Sequence, residues 1–300
     1  MKLDPYSLRL FVRVIEEGTI MGAAEHEHIA PSAVSKRVSE LETILNAHLI
    51  ERSNKGILPT EAGIALLGLA RNVLHGLDDI YVQMRDYSSG MRGYVRMFAN
   101  ISAITQFLPA ELNLFLAKFP LVEVHLEEKI SSTITKSLAE SVVDIGIFTS
   151  GTYAGEIETF PYRSDDLVLI TPVNHPLATQ DAVSFSDTLE YQYVGLHAGG
   201  SMNVTLTNAA SRANRSMKIR VQVTSFDALC LMVEAGLGIG ILPRISAELF
   251  VKALNVRMVT LEEPWANREL VIGVRSYDAL PAAARCLVDH LRRPSSDEAF

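Results

Sequence analysis

Hydrophobic positions in the first part of the chain repeat with helical spacing, and after residue 93 they alternate between strand-like and helix-like runs. Asp4-Pro5 reads as a helix start, a capping side chain followed by proline at the first helical position. Leu8, Phe11, Val12 and Ile15 continue that helix, and Gly18 ends it. A short second helix carries Ala23 and Ala24, whose small side chains permit close helix contact, and Ile29-Ala30 turns into a third helix opened by Pro31. On this third helix Val34, Val38, Leu41 and Leu45 form one buried stripe. At about 100° per residue, Ser32, Ser35, Lys36 and Ser39 fall on the opposite side. That outer face is short, hydroxylic and basic. Periodicity alone fits a solvated face, but a short helix, a tight turn and then this helix have the dimensions of a helix-turn-helix, whose second helix reads base edges and phosphates.

Two short extended stretches follow, Leu49–Arg52 and Ile57–Pro59, around a turn at Ser53–Gly56. They suit a β-wing, with Arg52 and Lys55 as cations able to enter a minor groove; the plain alternative is a surface hairpin. Thr60-Glu61-Ala62-Gly63 starts a long helix whose apolar positions Leu66, Leu69, Val73, Leu77, Ile80, Met84 and Tyr87 step by three or four, an a/d seam. Such a seam can pack on its own chain. Beside a DNA reader it is expected to dimerise, because two-fold operators need two-fold proteins. Ser88-Ser89-Gly90 reads as a hinge.

Beyond it, Tyr94–Ala99, Val122–Glu128 and Val143–Phe148 read as strands, separated by helices over 102–119 (kinked at Leu108-Pro109) and 132–141. A second set begins near Tyr162, with strands at 167–171, 193–196 and 219–223, a late strand around Gly273 and a closing helix at 281–292. Alternation of this kind predicts two α/β halves with a cleft between them. Ligands of such sheets sit beyond the strand C-termini, where helix N-termini point amide hydrogens inward. Those positions carry Asn100, Ile101 and Ser102; Ser131, Ser132 and Thr133; Ser201 and Met202 within Gly199–Asn203; and Phe226 after Ser225. The set is uncharged and suits a small anion or polar metabolite, although any single Ser or Thr there serves equally as a helix cap. His197 lies close in sequence and could titrate against an anion.

Composition narrows the class. The net charge of −8 argues against a generic nucleic-acid coat protein, and residues 1–93 hold ten Lys/Arg against twelve Asp/Glu, so any DNA binding rests on a few placed cations. Asp4, Arg9, Arg13 and Glu16 interrupt the N-terminal apolar stretch, which therefore reads neither as a secretion signal nor as a span, and a cytoplasmic chain without membrane partners is expected. Cys230 and Cys286 sit among apolar helical neighbours and read as reduced core thiols rather than a redox pair.

The run Ala23-Ala24-Glu25, then Ile29-Ala30-Pro31-Ser32-Ala33-Val34-Ser35-Lys36-Arg37-Val38 and Leu41-Glu42, resembles the LysR-type transcriptional regulators, as does Leu49-Ile50-Glu51-Arg52 leading to Thr60-Glu61-Ala62-Gly63. The likeness extends through the chain, more weakly after residue 90. Ala30 stands where the family often has a capping Ser, and Ile50 where Phe is usual. The resemblance implies that Ser32, Ser35, Lys36 and Arg37 face the major groove, with Arg52 in the wing near the minor groove. It implies dimers of dimers on a bipartite operator. It also implies an α+β multidomain chain: an all-α winged helix-turn-helix at 1–60, a linker helix and hinge at 61–90, and a two-lobed effector domain of periplasmic-binding-protein type at 91–300. In that domain the first lobe takes about 91–161 and 267–300, the second about 162–266.

Other readings fail on local order. Gly236-Leu237-Gly238-Ile239-Gly240 follows a helix and precedes a strand, the reverse of a dinucleotide turn, so no cofactor is expected. His26-Glu27-His28 is not a zinc helix motif, because residues two apart do not share a face. Asn203-Val204-Thr205 matches a glycosylation acceptor that means nothing inside a cell. No nucleophile–base–orienter set is legible, and the chain is not expected to be an enzyme. The alternative is a solute-binding receptor on the same two-lobed fold, which leaves the N-terminal module unexplained.

Overall fold

The computed structural model describes residues 3–53, 56–86, 92–151, 157–197 and 199–293; of Arg52, Ser53, Asn72, His75 and 78–86 it describes the backbone alone. Two compact units result, 1–93 with 139–142 and 94–138 with 143–300. Lys55, Tyr87 and the expected hinge Ser88–Gly90 lie outside the described residues.

The first unit is built on three helices. Helix α1 (Pro5–Glu17) is capped by Asp4, whose carboxylate accepts from the Tyr6 and Ser7 amides, and ends at Gly18 in the left-handed region (φ 65°). Helix α2 (Ile20–His26) is capped by Thr19. Helix α3 (Pro31–Leu45) has no side-chain cap, as Ala30 dictates, and relies on Pro31 at its first turn. Val34, Val38 and Leu41 are buried, and Leu45 half-buried. They pack with Leu10, Val14, Ala23 and Ala24 on one side and with Phe11, Leu49 and Ala70 on the other.

Strands β1 (Ile50–Ser53) and β2 (Gly56–Pro59) pair antiparallel with Ile50 opposite Pro59 and Ser53 opposite Gly56, the expected wing. The Ile57 amide donates to the Gly18 carbonyl at 2.8 Å, so the wing leans on the α1–α2 turn. Helix α4 (Glu61–Asp86) follows. Its start is pinned locally: the Thr60 amide donates to the Leu49 carbonyl at 3.1 Å, and the Thr60 hydroxyl to the His48 carbonyl at 2.6 Å.

The second unit runs β3 (Arg92–Ala99), α5 (Ile101–Gln106), α6 (Leu108–Lys118), β4 (Leu121–Glu128), α7 (Ser131–Ala139), β5 (Ile145–Thr149), β6 (Glu158–Pro172), β7 (Ala182–Val183), α8 (Phe185–Thr188), β8 (Gln192–Leu196), α9 (Ser201–Arg212), β9 (Lys218–Val223), α10 (Phe226–Glu234), β10 (Gly240–Pro243), α11 (Arg244–Val251), β11 (Val256–Leu261), β12 (Asn267–Val274) and α12 (Ala282–Leu291). The expected kinked helix is two helices broken at Phe107, with Pro109 in the first turn of the second. Strand β6 is far longer than its sequence signal at 167–171. Its first part pairs with β12 from Glu158 to Asp166; its second part, from Leu167 to Pro172, pairs with β10 and β11. One strand thus serves both halves. Residue 162, where the sequence pattern starts the second lobe, falls inside β6. The order β4-β3-β5-β12-β6-β11-β7 follows, with β8 and β9 as a parallel pair joined to it by a Tyr193–Ile239 bridge. The Gly236–Gly240 segment ends α10 and enters β10.

Candidate functional site

The outer face of α3 is the first candidate. Ser32 and Ser39 are exposed and Ser35 half-buried. The Lys36 side chain is 78% exposed, with its ammonium 3.9 Å from Glu40. Arg37 departs from the sequence expectation. Its guanidinium does not extend from the face but turns to the start of α1, 2.8 Å from the Asp4 carboxylate and 3.3 Å from the Ser7 hydroxyl, over the Tyr6 ring. The reason is geometric. Arg37 lies about 100° round the helix from Lys36, at the margin of the face, where the α1 cap offers a carboxylate. Burial acts to raise the Asp4 carboxyl, but the Ser7 hydroxyl, the Tyr6 and Ser7 amides and Arg37 outweigh it and hold it below its ordinary value. Asp4 and Tyr6 had no sequence signal as neighbours of α3. Arg52 enters the wing in β1; its side chain and Lys55 lie outside what is described.

Helix α4 splits the seam expected of it. Leu69 (60% exposed) and Val73 (49% exposed) face outward, with Ala62, Ala65 and Gly76 exposed beside them. Leu66 instead packs on the core formed by Phe11, Leu41 and Ala70, and Leu77 is half-buried. The correction follows from helix geometry, since Leu66 stands only about 40° from Ala70, the residue that anchors α4 to α1. Ile80 and Met84 lie in the helix, their side chains undescribed.

The second candidate is a cleft of about 370 Å³ between the halves of the second unit. It brings together Asn100, Ile101, Ser102, Ser131, Thr133, Ser201 and Met202, as the strand-end argument anticipates. Two members of the expected set are elsewhere. Phe226 is 2% exposed in the second half's core with Leu229 and Val233, because the first turn of α10 points it into the sheet. Ser132 is exposed, one residue out of phase with the inward Ser131.

The expectation of an uncharged lining is also corrected. Glu128, Lys129 and Arg268 line the cleft, with His197, Leu196, Asn203 and Thr224. Arg268 is 6% exposed, and its Nε donates to Asp165 Oδ1 at 2.8 Å. Its Nη2 donates to the other Asp165 oxygen and, at 3.1 Å, to the Ser102 hydroxyl. Lys129 Nζ lies 2.9 Å from Glu127 and over the Phe98 ring. Lys129, and after it His125, hold the Glu127 carboxyl below its usual range, whereas burial pushes Glu128 up. His197 accepts the Gly199 amide on Nδ1 at 3.2 Å, which fixes its ring at the rim.

Hydroxyls and amides knit the floor of the cleft. Thr149 Oγ1, at the end of β5, lies 3.2 Å from Asn100 Nδ2 and 3.2 Å from Ser201 Oγ, and the Thr149 amide donates to Ser131 Oγ at 3.4 Å. Asn100 in turn caps α5 by accepting the Ala103 amide at 2.9 Å. Helix α9 differs: its cap is Gly200, which brings no side chain to the first turn. A helix N-terminus that opens on a cleft also lined by a lysine is suited to an anion.

Cys230 is buried among core residues, and burial, then Asp227, pushes its thiol up to about 12; burial also raises the half-buried Cys286. Both are free thiols. Among the described residues no group of His, Cys, Asp or Glu is arranged to hold a metal ion, and no helix is long and apolar enough to cross a membrane.

A winged helix-turn-helix joined to a two-halved sheet domain with a cleft that carries convergent polar groups is the build of a ligand-responsive DNA-binding regulator. Comparison with known proteins agrees for both units. Residues 6–64 match the bacterial regulatory helix-turn-helix model of the lysR family, and residues 88–295 match the LysR substrate binding domain. The chain belongs to the LysR family of DNA-binding transcriptional regulators. It is 26% identical over 287 residues to the uncharacterized HTH-type transcriptional regulator YbhD of Escherichia coli (strain K12), covering 95% of this chain and 90% of that one. It shares the fold of full-length CbnR complexed with target DNA (TM-score 0.65, 20% identity, 97% of this chain and 99% of that one). It also shares the fold of the effector binding domain of QuiR in complex with shikimate (TM-score 0.61, 20% identity, 70% of this chain and 99% of that one).

Proposed function

We propose that this regulator reads its operator with the outer face of α3 and is switched by a small organic anion held in the cleft. Ser32, Ser35 and Lys36 meet the major groove, Arg37 lies at the margin of that contact, and Arg52 and Lys55 reach the neighbouring minor groove from the wing. The exposed α4 stripe around Leu69 and Val73 is the dimer seam, and two such dimers occupy a bipartite operator. The protein acts in the cytoplasm and carries out no reaction of its own.

One observation carries the effector reading: the first turn of α9, capped by Gly200, lines the same cleft as Lys129. An anion seated there gains the amides of α9, the Ser201 hydroxyl and the Lys129 charge. It touches both halves at once, so its affinity depends on their closure, and that difference is all the energy it can pass on. Shikimate, the ligand bound by the QuiR domain, is in keeping with a small polar effector.

Two measurements test these assignments. Lys36→Ala is expected to weaken binding to a duplex selected from a random pool by the wild-type chain. The slope of log affinity against log salt should fall by about 0.9 per bound chain, the share of one phosphate contact. An unchanged slope and affinity would remove Lys36 from the interface. For the cleft, thermal-shift screening of small carboxylates against the full chain should yield binders, because a ligand that prefers the folded state raises the melting point. Against the best of them, Ser201→Ala should raise the calorimetric Kd roughly tenfold, the loss of one hydrogen bond to a charged group. Equal affinity in variant and wild type would take Ser201 out of the site.

A further inference from the structure

One acidic group at the margin of the DNA face comes from outside the recognition helix. Asp4 Oδ2 accepts from Arg37 Nη1 at 2.8 Å and from the Ser7 hydroxyl at 3.0 Å. Ser7 Oγ accepts from the same guanidinium at 3.3 Å, and the Tyr6 ring lies 5.7 Å beneath the guanidinium carbon. Arg37 is therefore held by three partners at the start of α1, yet it is not buried: both side chains of the ion pair are 43% exposed. An exposed pair of this kind is weak enough to be exchanged for another anion. The other cation of this face, Lys36, also has an acidic neighbour in Glu40. In a unit whose acids outnumber its bases, the residues that neutralise its few cations set how strongly it holds DNA of any sequence.

We propose that Asp4 is a specificity-determining residue for DNA binding: it keeps Arg37 in an internal ion pair at the margin of the recognition helix, and the guanidinium is handed to a phosphate only on a duplex whose backbone passes through its own position. On generic DNA the carboxylate retains Arg37, and one phosphate contact is forgone. On the operator the phosphate takes the carboxylate's place. The proposal rests on the assignment of the α3 face to DNA.

Asp4→Asn isolates the charge, because asparagine caps a helix as well as aspartate does and leaves α1 anchored. The full-length chain is titrated by fluorescence anisotropy against a random-sequence duplex and against the best duplex selected in vitro by the wild type. Asp4→Asn is expected to bind the random duplex more tightly, with a salt slope steeper by about 0.9 per bound chain. That slope is roughly a 3- to 4-fold greater loss of affinity between 50 and 200 mM salt for each additional phosphate neutralised. The slope on the selected duplex should stay unchanged, so the ratio of specific to random affinity falls. Arg37→Gln alone, which uncovers the Asp4 charge, should not tighten the hold on the random duplex and should lower the selected-duplex slope by about 0.9. The Asp4→Asn/Arg37→Gln double variant should lose the tighter hold on random DNA.

An unchanged random-duplex slope in Asp4→Asn overturns the proposal, and so does a tighter hold that persists in the double variant. If Lys36→Ala weakens binding while Asp4→Asn is silent, the handover alone fails. If neither Lys36→Ala nor Arg37→Gln alters binding to either duplex, the assignment of the face fails with it.

Discussion

Arg268→Met is expected to unfold the ligand-binding unit far more readily than wild type, at a cost of about 3–5 kcal/mol. Arg268 and Asp165 are directly opposed across the β12–β6 pairing, and the Asp165 side chain has no exposed surface. Methionine fills much of the arginine's volume but strands the carboxylate, whose remaining side-chain donor is Gln106 Nε2 at 3.0 Å. A buried charge left in this way costs more than the pair contributes. Arg268→Met/Asp165→Leu should therefore recover most of the loss, since replacing both partners is often close to neutral. Trp265 is the sole tryptophan and packs edge-on against Phe185 in the same unit, so its fluorescence reports the transition in denaturant. Equal destabilisation of the single and double variants would show that packing, not the stranded charge, governs the site. The Ser102 hydroxyl loses its donor too, so the variant should bind a cleft ligand poorly even where it remains folded.

Gly63→Ala should disable the DNA-binding unit, although alanine normally stabilises a helix by about 1 kcal/mol over glycine. The sign reverses because a Cβ at this position would lie 2.1 Å from the Leu49 carbonyl oxygen and 3.2 Å from Pro59. The obstacle is backbone, which no rotamer change relieves. Either α4 withdraws from the wing or β1 shifts and gives up the Leu49 bonds to Glu42 and Thr60. The expected cost is about 3 kcal/mol, the upper end for overpacking. It should appear as a lower melting transition for this unit and a loss of duplex binding, with the Trp265 transition unmoved. A variant as stable as wild type would show that the helix start slides without penalty.

Much of this is legible in the chain. The helix-turn-helix can be read because its buried stripes are strictly periodic and Asp4, Gly18 and Pro31 punctuate them. The hydroxyl floor of the cleft can be read because Asn100, Ser131 and Ser201 each stand where a strand or loop hands over to a helix. The charged lining cannot. Arg268 reaches Asp165 and Ser102 through sheet register, and those partners lie over a hundred positions away. Lys129 follows a strand whose outward residues look like any solvated edge. Phe226 misleads for the opposite reason: its neighbour Ser225 stands at a helix start, but the rotation of α10 turns the ring into the core. Leu66 obeys the seam's spacing and still packs inward, because a heptad count does not say which stripe a neighbouring helix will claim. The Asp4–Arg37 contact joins residues 33 positions apart whose helices meet only in the folded unit.

The single strand that serves both halves limits how this molecule can be dismantled. Dividing the halves at residue 162 would strip Asn267–Leu270 of their β6 partners and leave a ragged row of amides and carbonyls, an invitation to aggregate. Nicking the backbone between Asp166 and Leu167 would leave each ladder whole but cut the ribbon that ties one half to the other. Anyone grafting a new metabolite preference onto this scaffold should therefore exchange the entire sensor as one cassette, or alter side chains in place, and leave that shared ribbon whole.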